Sequence, residues 1–197
     1  MAAFFQSLQR TIIAGIVLLI VIVIIVGILS GQMIKPDHAW FAFFMRWLHV
    51  LSGVMWVGLL WYFNFVQTPS MPKIPDDQKP AVTKVIAPAT LFWFRWGAAA
   101  TVLTGLLLAA MNGYIVQALT FQKGAHVIGI GMWLALIMAF NVWFIIWPNQ
   151  QKALGLVDVP ADQKAPAARL AGMTSRINTM LSIPMLFCMV AQQNGGL

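Results

Sequence analysis

The chain has 197 residues, of which 60% are apolar and only 9% are Asp, Glu, Lys or Arg, against about 25% charged in an average soluble domain. That balance excludes a soluble globular domain, a disordered chain, a coiled coil and a nucleic-acid-binding module. The net charge of +7 comes from 12 basic against 5 acidic residues, a scarcity of acids rather than a basic face.

A helix needs about 20 mostly apolar residues to cross a bilayer. Five segments qualify: 12–29, 47–66, 91–111, 125–147 and, shortest, 179–190. The expected fold is therefore an all-α integral membrane protein, a single domain over 1–197 built as a five-helix transmembrane bundle. The first span is almost pure Ile, Leu and Val. It exceeds the apolar core of about 7–15 residues in a secretory signal, and no A-x-A-like cleavage site follows. It reads as a retained, lipid-facing helix. Pro69, Pro72, Pro75, Pro80 and Pro88 make 68–88 an extended, irregular loop. The stretch 148–176 is polar, with a short surface helix expected over 161–171.

With five spans, the N-terminus and the second and fourth loops share one side. That side carries nine of the 12 basic residues, and the other has only Lys35, Arg46 and Lys123. Positive charge stays inside, which places the N-terminus in the cytoplasm and the C-terminus in the periplasm of a bacterial inner membrane.

A shift of 77 residues superposes Arg46 on Lys123, His49 on His126, Ser52 on Gly129, Trp56 on Trp133 and Asn64 on Asn141. The pattern reads as a duplicated helical hairpin plus one helix, or as coincidence among Trp- and Gly-rich helices. His38, after Lys35-Pro36-Asp37, reads as a solvated loop residue. His49 and His126 lie in apolar segments, where an ionisable side chain defaults to a functional hypothesis. Counted from Pro69 and Pro148, their depths agree within about 3 Å. Two facing imidazoles at one level are able to ligate a b-type haem, as both cofactor and metal ligands. Ser52, Gly53 and Gly129 leave room for a flat ring, Arg46 and Lys123 suit its propionates, and Trp56 and Trp133 would wall it. The bland reading gives each histidine only a hydrogen bond to a neighbouring helix. A copper or zinc site needs further ligands, and no span contains a carboxylate.

Asn64, Arg95, Asn141, Arg176 and Asn178 are expected to converge near the inner face, as interhelical glue or as a small anion site. A lone cysteine, Cys188, excludes an intrachain disulfide and covalent haem. No nucleophile elbow, phosphate loop or paired carboxylates occur, so the chain is not expected to be an enzyme on its own.

Certain residues resemble those of a known family. Arg46-Trp47-Leu48-His49-Val50 with Gly53, Trp56 and Gly58, then Phe92-Trp93-Phe94-Arg95-Trp96 with Thr104-Gly105, resemble helices of the membrane domain of PuuD-type bacterial urate hydroxylases, the urate oxidase N-terminal family. His126-Val127 through Asn141-Val142-Trp143 to Pro148-Asn149-Gln150 is similar to that family's late helix, and 174–189 to its final one. The family is longer and often carries a cytochrome c domain. Its final helix usually opens His-Asn-Asn where this chain reads Ile177-Asn178-Thr179, and Gly97 stands where a glutamate is expected. The resemblance implies a shared scaffold, as a shortened and divergent member, with a redox past.

Two functions follow. One is a membrane electron-transfer subunit with haem b held by His49 and His126, exchanging electrons with a periplasmic cytochrome c. The other is a non-catalytic accessory subunit packed against other membrane protein subunits in the lipid bilayer. No nucleic-acid partner is expected.

Overall fold

The computed structural model describes residues 2–196, and all regular structure among them is helical. The chain divides into a first unit ending at Phe41 and a second running from Ala42.

In the first unit, helix α1 (Leu8–Ser30) carries the Ile/Leu/Val run, and Gly27 is its only buried residue. Ser7 Oγ accepts from the Arg10 N–H at its start. Gly31, at φ 64°, ends it in the left-handed region, where a side chain would be strained. Asp37 Oδ1 accepts from Trp40 N–H at 2.9 Å, an N-cap that makes His38 the first residue of the next helix rather than a loop residue.

The second unit is built on α2 (His38–Lys73, whose first residues belong to the first unit), α3 (Lys79–Met111), the short α4 (Ile115–Leu119), α5 (His126–Leu154) and α6 (Ala161–Asn194). Among the described residues four helices, α1, α2, α3 and α5, are long and apolar enough to cross a membrane. The fifth expected span lies inside α6, whose 34 residues also absorb the surface helix expected at 161–171. The polar connection before it shrinks to 155–160, opened by Gly155 at φ 70°.

The proline-rich loop expected over 68–88 is mostly helix, with 74–78 the only part outside it. Three segments widen into π-helix: Tyr62–Gln67, Val82–Ile86 and Asn141–Ile146. Each stands just before a proline, Pro69, Pro88 or Pro148. A proline donates no N–H and its ring crowds the carbonyl four residues back. In all three places the residue before the proline donates five residues back: Thr68 to Phe63, Ala87 to Val82 and Trp147 to Val142. One extra residue in the turn relieves the crowding without ending the helix.

The core of this unit is centred on Trp56, Leu60, Phe94, Met138 and Val142. Phe63 meets Phe94 edge-on at 5.8 Å, a favoured aromatic geometry. Small residues set the crossings: a Cβ on Gly97 would lie 3.3 Å from the Trp56 backbone nitrogen, and one on Gly129 would overlap the Ala118 carbonyl. The expected duplication pairs residues in unlike settings. Trp56 is 0% exposed and Trp133 42%, and His49 is well inside α2 while His126 opens α5.

Candidate functional site: an apolar cavity walled by His49

Helices α2, α3, α5 and α6 leave between them a cavity of about 600 Å³. Its walls are mostly apolar, Trp56 and Trp61 included, with Arg46, Tyr114, Gln193 and Asn194 among its polar lining residues. A volume of this order suits a cofactor-sized ligand.

His49 is its defining side chain. Nδ1 lies 2.9 Å from the Thr101 carbonyl and 3.3 Å from Thr104 Oγ1. A carbonyl only accepts, so Nδ1 carries the proton and donates. Nε2 then keeps its lone pair. Anchoring one ring nitrogen on a backbone carbonyl is the arrangement that fixes the tautomer of a metal-ligating histidine. The ring lies close against α3 because residue 105 is glycine: a Cβ there would lie 2.7 Å from His49 Cε1. Arg46, one turn away, donates from Nη1 to Gln193 Oε1 at 3.0 Å. Tyr114 lines the cavity on another side. Burial raises its phenol above the ordinary value, and the charge of Arg46 partly offsets this. Trp56 is fully buried, and its Nε1–H finds no hydrogen-bond partner among the described residues.

Of the residues expected to hold a cofactor, the cavity gathers Arg46, His49, Gly53 and Trp56. The others stand elsewhere. Ser52 Oγ donates to the Leu48 carbonyl of its own helix at 2.8 Å. Gly129 packs on Ala118. His126 and Lys123 are exposed. Trp133 Nε1 donates to the Leu119 carbonyl at 3.1 Å. The two histidines are therefore not brought together in this cavity. Sequence spacing missed Thr101, Gly105, Tyr114 and Gln193. Their signal is slight, because each is ordinary until α3 and α6 come to lie beside α2.

The polar cluster expected near the other end separates into parts. Asn64 Nδ2 donates to Ser175 Oγ at 2.8 Å. Asn141 Nδ2 donates to Asn178 Oδ1 at 2.8 Å, and Asn178 Nδ2 to the Met138 carbonyl at 2.9 Å. The Arg95 guanidinium carbon sits 3.3 Å from the centre of the Trp147 ring and 5.6 Å from that of Trp143, a cation–π stack. Arg176 is exposed beside a small pocket of about 120 Å³ that Asn64 and Gln67 also line. Among the described residues no three His, Cys, Asp or Glu side chains group as metal ligands.

The family model described as urate oxidase N-terminal matches residues 109–195. That region is similar to the urate oxidase N-terminal family, and the match covers less than half of the chain. That region spans α4, α5 and α6, whereas Arg46 and His49 stand on α2, before the match begins. No curated protein and no solved structure matches the chain.

The geometry also bears on whether a haem suits the cavity. One oriented imidazole with a free Nε2, a glycine that clears the space beside its ring, an apolar chamber and a guanidinium next to the histidine fit such a group. His49 would ligate the iron, Arg46 would meet a propionate, and Trp56 and Gly53 would border the ring.

Proposed function

We propose that the chain is an integral membrane subunit, on a urate-oxidase-type scaffold, that holds a b-type haem on His49 and serves electron transfer. The observation that carries this reading is the His49 Nδ1–H bond to the Thr101 carbonyl, which leaves Nε2 available at the wall of an apolar cavity. When bound, such a group supplies one-electron chemistry. The chain's own contribution is to fix the imidazole, exclude water and hold a cation beside the histidine. The setting is the cytoplasmic membrane of a bacterium, with α1, α2, α3, α5 and the apolar part of α6 crossing it and the N-terminus in the cytoplasm. The distribution of basic residues supports that orientation. A periplasmic cytochrome c is the electron partner this arrangement suits.

Purified protein supplied with haem should give a reduced-minus-oxidised haem b spectrum. His49→Ala should abolish it. A wild-type chain that stays colourless under those conditions sinks the reading.

A second reading is an accessory subunit without cofactor. One feature favours it: α1 exposes nearly all its Ile, Leu and Val side chains, a surface that suits packing against other membrane subunits as well as lipid. Mild detergent extraction should then yield a stable larger complex that deletion of α1 dissolves. A lone monomer throughout would overturn it.

A further inference from the structure

The cavity is not closed on every side. Five of its lining residues on α2, Arg46, Val50, Val54, Gly58 and Trp61, are also exposed at the surface. Their spacing of four, four, four and three residues puts them on one stripe of the helix. On α6, Val190, Gln193 and Asn194 combine the same two properties. The chamber and the outer surface therefore meet along one edge, between α2 and α6.

Two bonds mark the ends of that edge. Arg46 Nη1 donates to Gln193 Oε1 at 3.0 Å, and Trp61 Nε1 donates to Ser182 Oγ at 3.0 Å. Fifteen residues separate Arg46 from Trp61 on α2, but only eleven separate Ser182 from Gln193 on α6. At about 1.5 Å per residue these stretches measure about 23 and 17 Å. The helices are not held in step there, and long side chains reach across at both ends. Between the two bonds the rim is Val50, Val54 and Gly58 on α2 with Leu186 and Val190 on α6, which bring no polar side-chain atom. A Cβ on Gly58 would meet nothing within 4 Å. An uncharged rim inside apolar helices faces hydrocarbon rather than water.

Polarity gathers at one end of the cavity. Arg46 is the only Lys, Arg, Asp or Glu in its lining. Gln193 is bonded to it, Asn194 follows in sequence, and Tyr114 feels its charge.

We propose that the cleft between α2 and α6 is a lateral window, through which the cavity takes up its occupant from the bilayer: an amphiphile with an apolar body and an anionic end that pairs with Arg46. Naming that amphiphile as haem rests on the haem reading above, with the ring passing edge-on between the helices and its propionates toward Arg46. The window itself is tested separately.

The test uses the full chain, haem-free, in vesicles of phosphatidylethanolamine and phosphatidylglycerol, part of the latter bearing a photoactivatable diazirine on one acyl chain. Met132 and Met185 line the cavity yet are only 8% and 5% exposed, so label on them reports a chain that has passed the window. Wild type should carry label on both. Label confined to outward residues such as Val54 overturns the proposal. Gly58→Trp, which grows into open space, should keep the melting midpoint and lose the label on Met132 and Met185. Val54→Trp, on the same rim, should do the same. Gly15→Trp on α1, where a Cβ likewise meets nothing within 4 Å, should label as wild type does. Interior label that both rim variants leave unchanged overturns the window. Haem added to the vesicles should displace the interior label from wild type and enter the rim variants more slowly; equal rates overturn the window as its route. Interior label that the rim variants abolish but haem does not displace upholds the window and overturns the haem reading alone.

Discussion

Gly105 is the point where the fold and the proposed chemistry are most tightly joined. Its missing side chain leaves the space the His49 ring occupies: a Cβ at 105 would lie 2.7 Å from Cε1 and 3.1 Å from Nδ1. Gly105→Ala therefore forces a choice. If the ring stays, overpacking costs about 1–3 kcal/mol. If it swings into the cavity, the bond to the Thr101 carbonyl is lost, about 0.5–1.5 kcal/mol. Alanine in a helix interior returns about 1 kcal/mol over glycine. Gly53→Ala is the matched control, since Gly53 also sits inside a helix and its Cβ would meet only Thr101 Cγ2 at 3.9 Å. The propensity gain is common to both variants, so their difference isolates the clash. The cheaper route sets the difference, so Gly105→Ala should be the less stable of the pair by roughly 0.5–1.5 kcal/mol. Thermal unfolding in detergent reads that difference, and nitrogen-15 resonance of labelled histidine reads whether the Nδ1–H···O bond survives. Equal stability with the histidine signal unchanged would show that ring and glycine do not meet as described.

Trp56→Phe keeps the aromatic wall and removes a buried N–H without a partner. In haem-free protein relief of that group's desolvation cost, about 1–3 kcal/mol, opposes the cavity left by the smaller ring in a fully buried site, so the net change should be small, within about 1 kcal/mol; a loss well beyond that by the same melt would reveal a hidden partner. Asn178→Ala empties a fully buried position and strips partners from Asn141 and the Met138 carbonyl. It should cost about 2–4 kcal/mol, measured as a lowered unfolding midpoint in denaturant. Burial raises the Tyr114 phenol, so the unfolded chain ionises first. The associated stability is complete below the unfolded value of roughly 10 and fades as pH rises through the higher folded one. Melts from pH 8 to 11 should show this loss in wild type and less of it in Tyr114→Phe.

The long apolar helices were legible because a run such as 12–29 needs no partner to be recognised. The prolines misled because their effect depends on register. Pro69, Pro88 and Pro148 read as breaks, yet each follows a widened turn in which the preceding N–H reaches five residues back. A linear pattern registers the missing donor and not the turn that accommodates it. The same holds for 161–171 and 179–190, which read as separate pieces because polar residues lie between them. In α6 those residues are used inside the fold: Asn178 is 0% exposed and tied to α5.

The histidines show the limit of spacing most clearly. His49 and His126 agree closely in distance from a following proline, 20 and 22 residues, and match in flanking charge and in the tryptophan seven residues on. Distance along a helix fixes depth but not direction around the axis, and it says nothing of where the helix begins. Helix α5 starts at His126, so that imidazole is at an exposed end. Helix α2 starts eleven residues before His49, so the same residue type is carried into the bundle and against Thr101. What turns His49 into a candidate ligand is the carbonyl of Thr101 and the bare backbone of Gly105, both on α3 and more than fifty residues away. A histidine becomes chemically specific through the second nitrogen's partner, and in this chain that partner is a main-chain oxygen, which no residue code announces.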